Sequence, residues 1–154
     1  MRARLAAALG LVLALGAARY SDPGHRFHFT IPSGCTPARG AANADVLSCH
    51  NGTASVVFAA GGTDQPALQR LVNHVIGDWT NLKLLANDRR AALDHRPARS
   101  IFAAGVRPDH AIANIQIVAV AKNGGWYALV CESSTWPADA KRYFDPIAAS
   151  FRFD

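Results

Sequence analysis

The reading of the fold turns on AIANIQIVAVA (111–121), Lys122, NGG (123–125) and WYALVCE (126–132). Two apolar runs of strand length flank Asn-Gly, whose residues both tolerate positive φ, so the segment reads as a β-hairpin. A two-residue loop at Asn123-Gly124 sets Val120 against Tyr127, Val118 against Leu129 and Gln116 against Cys131. The opposite face then pairs Ala121 with Trp126, Ala119 with Ala128 and Ile117 with Val130. Strand side chains alternate between faces. Both faces are apolar here, so these strands belong in the middle of a sheet covered on both sides.

Upstream, Ser100 to Val106 reads as a short strand, and Arg107-Pro108-Asp109-His110 as a turn. His95-Arg96-Pro97 is a turn or loop. Lys83 to Leu93 fits either the end of a helix or a strand. Before it, Leu68, Leu71, Val72, Val75, Ile76, Trp79 and Leu82 follow helical spacing. Thr63 or Asp64 is placed to cap that helix, and Pro66 suits its first turn. The spacing predicts one long amphipathic helix of about four to five turns, laying an apolar stripe on the sheet. A second Asn-Gly, Asn51-Gly52, lies between 45–50 and 53–60. As a two-residue loop it pairs Cys49 with Ala54, Leu47 with Val56 and Val46 with Val57. Near the start, Phe27, Phe29 and Ile31 alternate with polar residues, as a half-buried strand requires, and Pro32-Ser33-Gly34 stops it. After Ser133-Ser134-Thr135 and Pro137, a C-terminal helix buries Ala140, Tyr143, Phe144 and Ile147. Pro146 inside that stripe should kink or break it. Phe151 and Phe153 then form a short extended tail.

The N-terminal residues stand apart from this domain. Arg2 and Arg4 precede an apolar run from Leu5 to Leu15, and Gly16-Ala17-Ala18 supplies small residues for cleavage. This is the pattern of a secretory signal peptide, 1–18. The run is shorter than the ~20 residues a membrane-spanning helix needs, so no stable span remains after cleavage. The expected organisation is a cleaved leader and one domain, 19–154. Cleavage removes Arg2 and Arg4, so the formal charge of +5 becomes +3. The remaining arginines are scattered, with Arg89-Arg90 the only adjacent pair. That disfavours nucleic acid, which calls for a clustered basic face. At 18% charged and 50% hydrophobic residues the chain is globular rather than disordered. Abundant Ala and Arg with few Lys hint at a GC-rich bacterial genome.

Three segments together carry a family resemblance: FHFTIPSG (27–34), GGWYAL (124–129) and FDPIAASFRF (144–153). With a strand pair and then a helix between the first two, the chain resembles the PsbP/Mog1/DcrB-like superfamily across nearly all of 20–154. Cys35 stands where such proteins often carry an aromatic, and Pro146 is unusual in the final helix. The resemblance implies an α+β fold: an antiparallel sheet packed by one long helix and a C-terminal helix. It also implies a binding, assembly or envelope role rather than catalysis. Relatives include photosystem accessory proteins, small-GTPase release factors, envelope proteins and secretion-effector chaperones. No functional residue of a particular member transfers with a matching motif.

The residues themselves add few site candidates. Of three cysteines, Cys35 and Cys49 are the favoured disulfide pair, because export permits a bridge. Cys49 with Cys131, or no bridge, are the alternatives. Cys131 lacks any spaced base that would make it a nucleophile. The six histidines contain no helical His-x-x-x-His pair, so no metal site is indicated. His25, His28 and His50 are the least poor candidates to converge. His74 and Asp78, at i,i+4, read as a surface pair. Gly61-Gly62 lacks the further glycines or the Gly-Lys-Ser/Thr of a phosphate loop. Trp79 belongs to the core, while Trp126 or Trp136 could line a surface groove. No catalytic residue and no cofactor are expected. The sequence therefore points to an exported bacterial accessory protein, periplasmic or secreted. Its partner would be an envelope protein or small ligand held on a sheet face or edge. The alternatives are a small secreted hydrolase or a metal-binding protein with a site assembled from scattered His, Asp and Cys.

Overall fold

A computed structural model describes residues 17–24, 26–38 and 47–154. The leader expected at 1–18, except its last two residues, lies outside them, as do His25 and Val46. In chain order the strands are β1 (Arg19–Ser21), β2 (Phe27–Thr30), β3 (Thr36–Pro37), β4 (Leu47–Cys49) and β5 (Gly52–Ala60). Helix α1 (Gln65–Ile76) follows, then β6 (Thr80–Asp88), β7 (Ala92–Leu93), β8 (Arg96–Pro97), β9 (Arg99–Val106), β10 (Ile112–Lys122) and β11 (Gly125–Ser133). A π-helical turn (Ala140–Phe144) runs into α2 (Asp145–Ser150), and β12 (Arg152–Phe153) ends the order.

The main sheet is antiparallel with order β3-β4-β5-β11-β10-β9-β6. The β10–β11 hairpin lies at its centre, and its register is the one the sequence predicts, from Gln116↔Cys131 to Ala121↔Trp126. Asn123 and Gly124 form the two-residue loop with φ of 55° and 72°, the left-handed pair such a turn demands. Each face of the hairpin enters a different core. Ile115, Ile117, Ala119, Trp126, Ala128 and Val130 pack under α1 with Leu68, Leu71 and Val72. Val118, Val120, Tyr127, Leu129 and Cys131 pack against Phe27, Phe29, Tyr143, Phe144, Ile147 and Phe151. The second core is roofed by a small sheet of order β1-β2-β12 and by the C-terminal helical segment. Phe151 stacks on Phe27 and Phe29 with centroids 5.4 and 6.2 Å apart, which fastens the chain's last strand to its first long one. The Ala18 carbonyl accepts a hydrogen bond from the Ile31 N–H at 2.7 Å.

The expected long helix is shorter than its apolar spacing suggests. Asp64 caps it, accepting from the Ala67 N–H at 2.8 Å, but it ends after 12 residues at Ile76. Gly77 is the C-cap, and the Trp79 N–H turns back to the Ile76 carbonyl. Trp79 is buried from this turn instead of from the helix stripe. Leu82 falls on β6, a strand at the sheet's edge whose nine residues are all exposed. The apolar series 68–82 therefore joins two elements that share one face of the sheet, and periodicity alone reads it as a single helix. The region from Lys83 opens as strand, turns at Arg89-Arg90, and turns again at Asp94-His95, both with positive φ, one residue earlier than His95-Arg96-Pro97.

The second Asn-Gly is not the loop of its hairpin. Leu47 pairs with Ala54 and Cys49 with Gly52, so the two-residue connection is His50-Asn51. The register differs from the expected one by two residues, which keeps every side chain on its predicted face. Gly52 serves β5: a Cβ there would lie closer to the Glu132 carbonyl oxygen than the 3.0 Å that real Cβ atoms keep, and 3.1 Å from Phe144 Cζ.

The predicted C-terminal stripe is buried at Ala140, Tyr143, Phe144 and Ile147. The distortion expected at Pro146 takes the form of the π-helical turn just before it, in which the Asp145 N–H bonds the Ala140 carbonyl. Widening the helix there leaves Pro146 in the first turn of α2, where its missing N–H costs least. The segment is led in by a polar knot. Asp139, 6% exposed, accepts 2.6 Å hydrogen bonds from the Ser133 and Thr135 hydroxyls.

Candidate functional site

The α1 face of the sheet carries a groove at the end where β10 turns into β11. Trp126 enters the core one residue into β11, 8% exposed. Its ring N–H donates to the Asp64 carbonyl at 3.3 Å, and the Gly62 N–H donates to the Gly124 carbonyl at 3.0 Å. These bonds hold the start of α1 against the central hairpin. The opposite wall comes from the chain between β6 and β9. After β6, Asp88 accepts from the Arg90 N–H at 2.8 Å, and β7 and β8 pair as a small hairpin. The Ala98 N–H bonds the Ala91 carbonyl at 2.8 Å and closes the excursion. Arg89 and Arg99, ten positions apart in sequence, are thereby returned to one place.

Arg89, Pro97, Ala98, Arg99, Ala121 and Trp126 line an open cavity of about 410 Å³. A recess of about 40 Å³ adjoins it, sharing Arg89 and Arg99 and walled by Gln65, Leu68, Asn87 and Ile101. Most ion pairs elsewhere occupy their arginines: Arg26 with Asp22, Arg96 and Arg152 with Asp94, and Arg107 with Asp109 and Glu132. Among the described residues, neither the Arg89 nor the Arg99 side chain makes a hydrogen bond or ion pair. No carboxylate lines the larger cavity. Two uncompensated guanidinium groups beside Pro97, Ala98, Ala121 and an indole can bind an oxyanion attached to an apolar body. Arginine presents a planar fork of donors that matches such groups.

A second open concavity of about 540 Å³ surrounds the disulfide, lined by Gly34, Thr36, Ser48, Cys49, His50, Arg142 and Tyr143. Residues 39–46, which join β3 to β4, lie outside the described ones. The expected Cys35–Cys49 bond is present, with Cα atoms 4.2 Å apart. The β3–β4 register, Thr36↔Ser48, places the two cysteines directly across from each other. Both are buried, at 7% and 8% exposure.

The other candidates do not converge. Trp136 is on the opposite side of the sheet from Trp126, with its ring 4.9 Å from Phe102 and 5.4 Å from Phe144. Cys131 is free and buried, and burial drives its thiol pKa far up, the reverse of what a nucleophile needs. His28 Nδ1 lies 2.5 Å from the Asp154 carboxylate. Among the described residues no hydroxyl or thiol hydrogen-bonds that ring. His74 sits in the last turn of α1, while Asp78 falls beyond the helix, so their i,i+4 relation is lost. Among the described residues no group of three or more His, Cys, Asp or Glu is placed to hold a metal ion. The site residues that sequence reasoning missed are Arg89 and Arg99; the adjacent Arg89-Arg90 pair was the only signal near them.

No family model and no curated protein matches this sequence. Solved structures do. The solution structure of cyanobacterial PsbP (CyanoP) from Synechocystis sp. PCC 6803 matches with a TM-score of 0.60 and 18% identity, covering 97% of this chain and 99% of that one. LpqN of Mycobacterium tuberculosis, described as involved in cell envelope biogenesis, matches with a TM-score of 0.53 and 8% identity, over 89% of this chain and 84% of that one. At such identities the likeness concerns the fold, and it agrees with the resemblance carried by residues 27–34, 124–129 and 144–153. The antiparallel sheet, its covering helices and the closing aromatic strand together give this chain the PsbP-like fold.

Proposed function

We propose that this protein is an exported accessory protein of the bacterial envelope, non-enzymatic, which binds a small ligand or partner on the α1 face of its sheet. The observation that carries the reading is the groove in which Arg89 and Arg99 stand unpaired beside Trp126. Arg26, Arg70, Arg96, Arg107 and Arg152 have carboxylate or carbonyl partners, whereas an unpaired couple beside an apolar surface suits recognition. Export is supported by the leader pattern of 1–18 and by the buried Cys35–Cys49 bond, since disulfides persist in oxidising compartments. No helix of the described residues is long and apolar enough to cross a membrane. One structural neighbour is described as acting in envelope biogenesis. A non-catalytic role is supported by the sealed, raised-pKa Cys131 and by a His28–Asp154 pair to which no hydroxyl or thiol among the described residues is bonded.

The test is fractionation of a bacterium expressing the chain with its own N-terminus, followed by mass spectrometry. The expected product is a periplasmic or secreted protein starting at Arg19, with Cys35 and Cys49 oxidised and Cys131 free. Full-length, fully reduced protein in the cytoplasm would overturn the export reading. Esterase or peptidase turnover abolished by His28→Ala would overturn the non-enzymatic one.

A further inference from the structure

We infer that the Arg89–Arg99 groove binds a soluble amphiphilic oxyanion, a carboxylate, sulfonate or phosphate joined to a flat apolar body. The inference rests on the binding role proposed above and specifies its ligand. Pro97, Ala98, Ala121 and Trp126 provide the apolar bed, and the arginines border both the main cavity and its recess. The anionic group is therefore held where the two spaces meet, with the apolar body extending over Trp126. A volume of about 410 Å³ lies within the ~300–1,000 Å³ range of pockets that hold drug-sized molecules. Electrostatics select the sign: both charged side chains lining these spaces are arginines, and Gln65 and Asn87 in the recess are neutral. The Asp64 carboxylate at the mouth of α1 is engaged by the Ala67 N–H.

The probe is anilinonaphthalene sulfonate, an anionic aromatic of suitable size, compared with neutral phenylnaphthylamine, which has the same body without the charge. Binding to the exported, oxidised protein is followed by probe fluorescence and by quenching of tryptophan emission. The expected result is saturable one-to-one binding of the anion. Arg89→Gln and Arg99→Gln should each weaken it by about tenfold, the scale of a lost hydrogen bond to a charged group. The neutral analogue should bind weakly and equally to all variants. Near-UV circular dichroism of each variant establishes that it is folded, and Arg90→Gln, beside the site, should leave affinity unchanged. Three results would overturn the inference. The first is no binding to the wild type. The second is binding unchanged in both variants but lost in Leu84→Gln, which places the probe on the exposed edge strand. The third is cosedimentation with phosphatidylglycerol vesicles, lost in the arginine variants, which assigns the arginines to a lipid surface. None of these results touches compartment or catalysis, so the export and non-enzymatic readings stand or fall separately.

Discussion

The two Asn-Gly pairs make the same impression in sequence but use their glycines differently, and substitution should separate them. Gly124 has φ of 72° with nothing within 4 Å of where a Cβ would stand. Its side-chain position is open, so only backbone conformation opposes substitution. A left-handed conformation costs an L-residue roughly 1–2 kcal/mol, while removing glycine from the unfolded chain returns about 0.4–1 kcal/mol. Gly124→Ala should therefore destabilise by up to about 1.6 kcal/mol. Gly124→Asn should cost only a few tenths, because asparagine visits that region readily. Gly52 is the opposite case. It is paired with Cys49 and Ser133 inside the sheet, and its missing Cβ is the space taken by the Glu132 carbonyl, with Phe144 Cζ at 3.1 Å. Substitution must move either the β5–β11 ladder or the aromatic core behind it. Overpacking of this kind costs about 1–3 kcal/mol, and the clash is with backbone, so Gly52→Ala belongs at the upper end. Asparagine gains nothing there, and Gly52→Asn should be at least as damaging.

The assay is urea unfolding of the oxidised protein, with the four variants compared at constant slope. The deciding quantity is the difference between Asn and Ala at each position. Asn should be milder than Ala at 124 and no milder at 52. If Gly52→Asn were at least 1 kcal/mol milder than Gly52→Ala, a tenth of a typical domain's stability or more, Gly52 would be a turn residue. The hairpin would then pair Leu47 with Val56, and the observed register would be refuted.

The remaining predictions concern covalent and ionisable groups. Replacing both Cys35 and Cys49 with serine should cost up to about 3 kcal/mol by the chain-entropy argument for a loop of this length; a loss under 1 kcal/mol in urea unfolding would show that the bond constrains little. Cys131 should be silent to a thiol reagent in the native protein and react fully once the chain is unfolded, because burial both shields the thiol and raises its pKa. Reaction within minutes under native conditions would contradict its place in the core. Hydrogen bonds from the Arg26 side chain, at 2.7 and 3.0 Å, hold the Asp22 carboxyl below its ordinary value of 3.8. A depressed folded-state pKa stabilises above the unfolded value and loses that contribution as pH falls through the folded one. The stability gap between wild type and Asp22→Asn should thus be full at neutral pH and shrink below about pH 4; a gap that widens on acidification would have the sign wrong.

What could be read from sequence depended on whether local pattern and tertiary demand coincide. They coincide at 111–132, where two apolar faces require a central position and an open Asn-Gly turn sets the register residue by residue. They also coincide at the C-terminus, where Ala140, Tyr143, Phe144 and Ile147 must share a face whether the turn is π or α. They part at Gly52, where the usual signature of a turn records a close approach between strands. They part again after Ile76. Trp79 and Leu82 continue a helical spacing only because a turn and an edge strand return the chain to the same face.

The site shows the same division more sharply. A disulfide between neighbours 14 positions apart needs only a short strand pair, and so it was foreseeable. The groove needs the β7–β8 excursion to return Arg99 beside Arg89, and the hydrogen bond from Trp126 to Asp64 to fix the other wall. Neither is encoded in the spacing of the residues concerned. Scattered arginines in sequence argue against a polyanion, which calls for a clustered basic face. That does not argue against a small anion, for which two guanidinium groups suffice. Arg26, Arg70, Arg96, Arg107 and Arg152 are committed to Asp22, Asp94, Asp109, Glu132 or to backbone carbonyls. Arg89 and Arg99, brought together beside a tryptophan, hold positive charge that no carboxylate among the described residues pairs. An external anion is the partner that such an arrangement can bind without first breaking a bond of the fold.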